Sequence, residues 1–394
     1  MSDRVIDVVV AGHICLDLIP DFSLQTSSTD QLFQPGKLIN VGPALRTLGG
    51  AVSNTGLALH HLGLNTRLMG KIGSDLFGRA ILSILHQHAP SLAEDMLQDL
   101  NAHTSYSIVI SPPGRDRVFF HHPGANDTFH ASDVPLEKLG GARLFHFGYP
   151  PLMQAIYQDG GESFALLLQR LQANHYLTSL DMALPDPASE AGRANWRAWL
   201  KRVLPHVDLF LPSVEEIAFM LHGPHHSQPL DGALLSELAA ELLELGASVV
   251  ALKAGNHGLY IRTTSNHAKL ARLQPSLQDN LESWLEREIY SSCYSVTVAG
   301  TTGAGDCTIA GFLAGFLHGL TLEETLTSAV AVGACSVECP DATSGIPPWS
   351  TLQQRIQAGW QKNPLTLSLE GWQPDPLSLF WLGPHDVISV DPTL

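Results

Sequence analysis

The feature that most restricts the fold is a regular alternation of short apolar segments with longer amphipathic ones. Strand-like segments are predicted at 5–12, 67–72, 143–148, 177–182, 207–212, 248–255 and 295–300. Helix-like segments lie between them, and in 75–88 the apolar side chains recur at helical spacing. Short strands that alternate with helices of ten or more residues form βαβ units. The sequence therefore predicts an α/β fold, in which helices cover both faces of a central, mostly parallel sheet.

Four regions interrupt this alternation. Residues 13–45 and 103–123 contain short alternating segments, which are typical of a small antiparallel sheet that forms a lid apart from the main one. Residues 264–292 are interpreted as an insertion between two core strands. Beyond about residue 360 the chain is rich in Pro, Trp and Leu, and its periodicity is weak. We therefore predict one α/β domain over residues 1–360 and a C-terminal extension over residues 361–394.

The charge balance narrows the range of partners. Lys and Arg number 22 and Asp and Glu number 38, which gives a formal net charge of −16. A chain this acidic is a poor binder of nucleic acid over its whole surface. An anionic small substrate would need local help from a metal ion, a few basic side chains or helix N-termini.

Several features favour a cytoplasmic protein. The apolar start, VIDVVVAGHICLDLIP, is interrupted by acidic residues and lacks a basic flank, so it is interpreted as a first strand and not as a signal peptide. The longest apolar helical run, near IAGFLAGFLHGL, is too short to span a bilayer. The five cysteines are scattered and form no CxxC motif, which predicts reduced thiols without a disulfide framework.

A glycine-rich turn, TTGAG at 301–305, joins a predicted strand to an apolar helix that Asp306 opens. The first N–H groups of a helix have no internal partner, and together with the helix dipole they attract an anion. Gly303 and Gly305 let the backbone approach a ligand closely. Asp306 would repel a bound phosphate, unless it contacts the hydroxyl that attacks that phosphate. The pattern therefore indicates phosphoryl transfer, with Asp306 as the general base.

The turn alone leaves a second interpretation open, in which Gly-Ala-Gly is a tight turn and Asp306 merely caps the helix. Two other nucleotide motifs are missing. The GxxxxGK[ST] phosphate loop does not occur, and the turn does not match the GxGxxG pattern of nicotinamide-binding folds. The paired histidines at 60–61, 121–122 and 225–226 lack the spacing of metal ligands, and we predict that they lie on the surface or in the lid.

Two separate motifs resemble those of the ribokinase/PfkB carbohydrate kinase family. TTGAGDCTIAGFLAG is similar to the family's DTxGAGD signature with its following helix, and LGGAVSNTGLALHHLG is similar to GGxxxNxAxxLxxLG. GHICLDLIP, GKIGSDLFG, HHPGAN and LFLPSVEEI also stand in the family's order, so the resemblance covers roughly residues 5–350. It implies a ribokinase-like α/β fold, in which a small β lid covers the sugar.

The resemblance also implies roles for individual residues. Asp306 would be the base, and the backbone amides of Gly303, Ala304 and Gly305 would hold the transferring phosphoryl group. The sugar site implied by the two N-terminal motifs consists of Asp17, Gly49, Gly50 and Asn54.

The implied cofactors are ATP and Mg²⁺. LPSVEEI occupies the place of the family's NxxE motif, whose Glu places Mg²⁺ through water; here that residue is Glu216, and Ser213 replaces the Asn. The segment LKAGNHG would line the nucleotide phosphates through Lys253, Gly255 and Gly258.

Two departures concern the family's monovalent-cation site. The Asp that opens DTxGAGD is Gly300, and Asp341 stands in the later loop where a Gly is common. The first removes a carboxylate and the second adds one, so the use of a monovalent cation is in doubt.

The predicted activity is ATP-dependent phosphorylation of a hydroxymethyl group on a small sugar or sugar-like substrate. Two alternatives remain: a nucleoside kinase of the same fold, in which lid aromatics clamp a base, and a catalytically inactive sugar-binding regulator. No nucleic-acid or membrane partner is expected, and the family also allows a homodimer that forms through the β lid.

Overall fold

The computed structural model describes residues 6–23, 34–111, 118–225, 228–375 and 380–390. Its strands, in chain order, are β1 (Val8–Gly12), β2 (Cys15–Asp21), β3 (Gly42–Gly49), β4 (Thr66–Met69), β5 (Lys71–Gly73), β6 (Leu97–Asp99), β7 (Tyr106–Ile110), β8 (Val118–His122), β9 (Leu144–Gly148), β10 (Leu177–Leu180), β11 (Leu209–Phe210), β12 (Val249–Lys253), β13 (Gly258–Thr263), β14 (Glu288–Ser292), β15 (Gln373–Pro374) and β16 (Trp381–Leu382).

The α-helices, in chain order, are α1 (Ala51–His61), α2 (Leu76–His88), α3 (Gln154–Tyr157), α4 (Glu162–Ala173), α5 (Trp196–Val203), α6 (Val214–His222), α7 (Gly232–Leu245), α8 (His267–Leu270), α9 (Gln274–Leu277), α10 (Ala304–Leu317), α11 (Leu322–Val337) and α12 (Trp349–Gln357). None of these helices combines the length and the apolarity that a membrane span requires.

Ten strands form the central sheet, in the order β15-β16-β14-β13-β12-β11-β10-β9-β1-β4. The six strands from β12 to β4 are parallel, and the remaining four pair antiparallel. From β1 the chain goes to β4 on one side and later to β9 on the other, so the sheet has a topological switch point beside β1. In open α/β sheets, ligands bind outside the carboxyl ends of the strands at such a point.

The sheet separates two apolar cores because successive strand residues point to opposite faces. Val8 and Val10 of β1 pack with α1, α10 and α11, whereas Val9 and Ala11 face the side covered by α4, α5, α6 and α7. Helices therefore cover both faces of a mostly parallel sheet, as the sequence predicts.

A second sheet, the lid, has the order β3-β2-β7-β8. Its β2 strand pairs antiparallel with β3 and parallel with β7, and β7 pairs antiparallel with β8. In this register Asp17 lies opposite Ser107, and Ser107 lies opposite His121, so these three residues form a row across one face. The predicted lid ranges also include residues 24–33 and 112–117, which lie outside the described residues.

The predicted strand at 295–300 is wrong. After β14 the chain leaves the sheet, and its backbone bonds instead to residues outside it: the Ser295 N–H donates to the Gln361 carbonyl, and the Ala299 N–H donates to the Val337 carbonyl. Val298 is exposed. The alternation of valines resembles a strand, but none of the described strands pairs with it.

The predicted insertion at 264–292 extends too far. Its first part contains α8 and α9, but its last residues are β14, a buried strand of the central sheet. β14 pairs antiparallel with β13, so the βαβ rhythm that locates the other strands does not apply to it.

The C-terminal extension completes the sheet edge beyond β14. β16 pairs with β14, and β15 pairs with β16. Past these strands, the buried Asp386 carboxylate accepts hydrogen bonds from Arg287 Nε, at 3.0 and 3.2 Å, and from the Glu288 N–H, at 2.9 Å. Arg287 is itself only 2% exposed, and its Nη2 also lies 2.6 Å from Glu323 Oε1, so the extension supplies one of two carboxylates that pair with this buried cation.

Candidate active site

Polar side chains gather where the parallel strands end. The residues directly after β1, β9 and β10 are His13, Tyr149 and Asp181; Ser213 lies three residues after the end of β11, and Lys253 is the last residue of β12. A cavity of about 760 Å³ opens at this edge, and its wall includes Tyr149, Asp181, Glu216, Lys253 and the turn at 303–306. Strand ends and the N-terminus of α10 therefore face one space, as expected beside a switch point.

Asp306 lies in the first turn of α10 and is 3% exposed. Gly303 precedes the helix in the left-handed conformation, with φ 70°, so the predicted glycine turn has a backbone reason at this position. Asn54 Nδ2 donates to Asp306 Oδ2 at 2.9 Å, and the Tyr149 hydroxyl lies 2.8 Å from both carboxylate oxygens. The carboxylate is thus fixed in place by residues from α1 and from the end of β9.

The protonation of Asp306 reflects opposing effects. Burial raises the pKa of Asp306, whereas the hydrogen bonds from Asn54 and Tyr149 and the charge of Lys253 lower it; the net result is a raised pKa. A raised pKa brings a carboxylate closer to the range in which a general base works well. Asn54 was predicted as a sugar ligand, but here its amide holds the carboxylate predicted to be the base.

Replacing Tyr149 with Phe removes one of these two hydrogen bonds and keeps the ring. Because that bond lowers the pKa of Asp306, its loss raises the pKa further. A base must be ionised, so we expect the acid limb of the kcat–pH profile to move to higher pH in Tyr149→Phe. The profile is measured by a coupled ATP-consumption assay.

The control is Tyr157→Phe, since Tyr157 lies on α3 and its ring packs against Trp196, outside the cavity wall. Its profile should match that of the unaltered protein. A Tyr149→Phe variant that loses activity equally at every pH would contradict the positioning role, because a packing defect does not depend on the charge of Asp306.

Three of the four predicted sugar residues, Asp17, Gly49 and Gly50, lie together where the lid joins α1. Asp17 is buried, and its Oδ1 accepts from Cys15 Sγ at 3.3 Å. A methyl group added to Gly49 would lie 2.4 Å from Asp17 Oδ2, and one added to Gly50 would lie 2.5 Å from His13 Nδ1. Burial raises the pKa of Asp17. The two glycines thus allow the end of β3 and the start of α1 to lie directly against the carboxylate and the imidazole.

Lys253, at the end of β12, forms a buried ion pair. Its Nζ lies 2.5 Å from Asp181 Oδ1 and 2.6 Å from the Leu211 carbonyl oxygen. Burial lowers the pKa of Lys253, but the carboxylates of Asp181 and Glu216 outweigh this, so the net pKa is raised and the side chain is charged. A methyl group added to Gly305 would lie 3.5 Å from Lys253 Cε, so this charge lies beside the glycine turn.

Ser213 and Glu216 form a capping box at the start of α6. Ser213 Oγ accepts from the Glu216 N–H at 3.2 Å, and Glu216 Oε2 accepts from the Ser213 N–H at 2.6 Å. Both residues line the cavity. The arrangement has a structural role of its own, and it holds one carboxylate oxygen of Glu216 in place at the cavity wall.

The two glycines predicted to contact nucleotide phosphates have different surroundings. Gly255 lines the cavity, has φ +58°, and leaves open space where a side chain would be. Gly258 is not among the cavity-lining residues. A methyl group there would lie 2.0 Å from the Ser291 carbonyl oxygen, so close pairing of β13 with β14 explains this glycine.

In the loop predicted to hold a monovalent cation, the Asp341 carboxylate accepts hydrogen bonds from the same loop. Asp341 Oδ1 accepts from the N–H groups of Thr343, at 3.0 Å, and Ser344, at 2.7 Å. A methyl group added to Gly300 would lie 2.8 Å from the Pro340 carbonyl oxygen and 3.0 Å from that of Cys339. The carboxylate that the sequence adds at Asp341 therefore stabilises its own turn.

Sequence reasoning missed three residues of this site. Tyr149 and Asp181 directly follow the buried strands β9 and β10, and His13 follows β1. Their position was the available signal, because the carboxyl ends of parallel strands lie at one edge. Tyr149 also has φ 66°, which is uncommon for a residue other than glycine and is often found at functional sites.

A glycine turn at the helix N-terminus, a buried carboxylate within it and a β lid together form the arrangement that the motifs suggest. The model of the pfkB family of carbohydrate kinases matches residues 6–349. The chain belongs to that family. It is therefore a carbohydrate kinase, a transferase that phosphorylates sugars with ATP.

Named relatives of this kinase differ in substrate. An uncharacterized sugar kinase of Archaeoglobus fulgidus is 25% identical over 291 residues, which is 74% of this chain and 98% of that protein. The 2-dehydro-3-deoxygluconokinase of Bacillus subtilis is 26% identical over 333 residues, which is 82% of this chain and 90% of that protein. Among solved structures, Arabidopsis thaliana ribokinase complexed with ribose and ATP aligns with a TM-score of 0.67 at 18% identity, over 90% of this chain and 99% of that one. The kinase thus has the ribokinase-like fold.

Proposed function

We propose that this kinase transfers the γ-phosphoryl group of ATP to a hydroxymethyl group of a small sugar or sugar-like substrate, with Asp306 as the general base. The observation that carries the proposal is the buried Asp306 carboxylate, held by Asn54 and Tyr149 in the first turn of a helix that a glycine turn precedes. Such a carboxylate can accept the proton of the attacking hydroxyl. The backbone amides of 303–305 would stabilise the charge on the transferring group.

The ATP phosphates would lie in the cavity beside Gly255 and Lys253. The positive charge of Lys253 next to the glycine turn attracts the negative phosphates. A local cation is needed there because the chain as a whole is acidic. Mg²⁺ would be held near Glu216 and Ser213, since carboxylate and hydroxyl oxygens are the ligands that this ion prefers. When bound, Mg²⁺ would neutralise part of the phosphate charge.

A strong requirement for a monovalent cation is not expected. Gly300 supplies no carboxylate, and that of Asp341 accepts hydrogen bonds within its own turn. A cation between neutral carbonyl oxygens alone gains less to offset its lost hydration.

On the acceptor side, Asp17, Gly49 and Gly50 would bind the sugar from the lid. We expect Asp17→Asn to raise the KM for the sugar by about tenfold, because a hydrogen bond to a charged group contributes roughly 1.5 kcal/mol or more. The KM for ATP should stay unchanged, since Asp17 does not line the nucleotide cavity. Steady-state kinetics with each substrate varied in turn gives both values.

Asp21→Asn is the matched control, because Asp21 ends the same strand and, among the described residues, its carboxylate accepts hydrogen bonds from Ser23. It should leave both KM values unchanged. If Asp17→Asn raised the two KM values equally, a general defect of the fold would replace the proposed sugar contact.

A coupled ATP-consumption screen over pentoses, hexoses, sugar acids, sugar phosphates and nucleosides tests the function itself. Turnover with a sugar supports the proposal, whereas turnover with nucleosides alone would favour the nucleoside kinase. Sugar binding without any turnover would favour the inactive regulator.

We add three expectations, on the oligomeric state, the cellular location and the extent of the domain. A homodimer through the lid is supported by Val118 and Phe120 on β8, an edge strand among those described, whose side chains are more than half exposed. A cytoplasmic location is supported by the five cysteines, which are all free. We also propose that residues 1–360 form the kinase domain and that residues 361–394 extend its sheet.

A further inference from the structure

Three side chains with soft or borderline metal-binding atoms meet on the inner side of the lid. They are His13, Cys15 and His121, and one ligand atom from each lies within 4.8 Å of the others. None of these side chains has a part in the phosphoryl transfer proposed above. Within the described residues, this is the one group of at least three His, Cys, Asp or Glu side chains that meets such a limit.

The register of the lid explains why these residues meet. Asp17, Ser107 and His121 form a row across β2, β7 and β8. Cys15 lies two residues before Asp17 and shares its face, because strand side chains alternate with a period of two. His13 precedes the strand, and its ring centroid lies 5.3 Å from that of His121. Residues far apart in sequence are thus placed together by strand pairing.

The separation of the two imidazole nitrogens matches that expected in a tetrahedral metal site. His13 Nε2 and His121 Nε2 lie 3.4 Å apart. Two imidazole nitrogens bound to one Zn²⁺ at about 2.0–2.1 Å, with a tetrahedral angle between them, are separated by about 3.3–3.4 Å. The Cys15 Sγ lies within the same cluster. No large movement of the two rings is needed to admit an ion.

The surroundings of the two rings also suit a metal. His121 Nδ1 lies 3.0 Å from Ser107 Oγ, so a proton on Nδ1 can be held there, and the Nε2 lone pair, which faces His13 Nε2, can bind an ion in place of that contact. His13 is 2% exposed, and its Nδ1 has no hydrogen-bond partner among the described residues.

We propose that His13, Cys15 and His121 bind one transition-metal ion of the zinc type. Two imidazoles and one thiolate are a donor set that favours Zn²⁺ over Mg²⁺ or Ca²⁺, which prefer oxygen. Three protein ligands leave a fourth position open. The Cys15 thiol loses its proton when the metal–sulfur bond forms, and that proton passes to solvent. The site adjoins Asp17, the carboxylate proposed for sugar binding.

Binding is measured on the full chain without sugar or ATP, so failure of this proposal and failure of the kinase assignment are distinguishable. Calorimetric titration with ZnCl₂ should give one site per chain. Substitution with CoCl₂ should give a sulfur-to-cobalt charge-transfer band, which only a thiolate ligand produces. Both His121→Ala and Cys15→Ser should weaken Zn²⁺ binding by at least about tenfold, and Cys15→Ser should abolish the band.

Two control variants change histidines that lie outside the proposed metal site. His122→Ala changes the neighbouring residue on β8, whose ring packs against Tyr106. His88→Ala removes a second histidine pair, in which His61 Nε2 lies 3.3 Å from His88 Nδ1. Both controls should keep the cobalt band and the Zn²⁺ affinity.

His121 is exposed, so His121→Ala is expected to fold, and its melting temperature checks this. Absence of the band in the unaltered protein, or unchanged affinity in both site variants, would overturn the proposal.

Discussion

Asp306→Asn is expected to lower kcat by at least about 10²-fold, which is the usual contribution of a general base. The amide keeps the size of the side chain and still accepts a hydrogen bond from Tyr149, but it cannot take the proton of the acceptor hydroxyl. The KM for ATP should change little, since the backbone amides of the turn and Lys253 are untouched. Steady-state kinetics on the purified variant gives both constants.

The control for this experiment is the melting temperature of the Asp306→Asn variant. Burial raises the pKa of Asp306, so its charge is costly in the folded protein, and a neutral amide should not lower the melting temperature. A stable Asp306→Asn variant that keeps more than about half of the original kcat would return Asp306 to the role of a helix cap.

Lys253→Met is expected to affect both stability and activity. It leaves the Asp181 carboxylate, which is 1% exposed, without its partner, and removing one member of a buried ion pair typically costs about 3–5 kcal/mol. It also removes the positive charge beside Gly305. Loss of one group that stabilises transition-state charge lowers kcat by about 10²–10³-fold. Chemical denaturation and kinetics measure the two effects separately.

A double variant, Lys253→Met with Asp181→Asn, separates these roles. Because the unpaired charge is then gone, the free energy of unfolding should recover much of the loss seen in Lys253→Met. The kcat should stay low, since the lysine is still absent. Recovery of activity together with stability would mean that Lys253 serves only to hold Asp181.

The sequence was sufficient for most of the central sheet. Strands such as β1, β9 and β12 are short, almost wholly buried and separated by helices, so composition and alternation both locate them. The segment at 295–300 shows where this reasoning fails. It alternates like a strand, but a strand needs a neighbour, and pairing is a property of the whole fold that a local pattern does not contain.

The sequence predicted the part of the site whose residues are close together in the chain. Gly303, Gly305 and Asp306 lie within a single turn, and their spacing suggested an anion site. The bond from Tyr149 to Asp306 joins residues 157 positions apart, and the pair of Lys253 with Asp181 joins residues 72 apart. The contact of His13 with His121 depends on the register of the lid strands. No rule based on residue spacing in the sequence predicts these long-range contacts.

The edge strands β15 and β16 and the ion pair of Asp386 with Arg287 bear on how the chain could be shortened. A protein cut back to the stretch that matches the family, residues 6–349, would keep every residue proposed for catalysis. It would also remove Asp386 from the buried Arg287 guanidinium, which would keep its ion pair with Glu323, and it would leave β14 as a bare sheet edge among the described strands, open to pairing with another molecule. We therefore expect a fragment cut at residue 349 to keep the proposed catalytic residues but to aggregate more readily than the full chain.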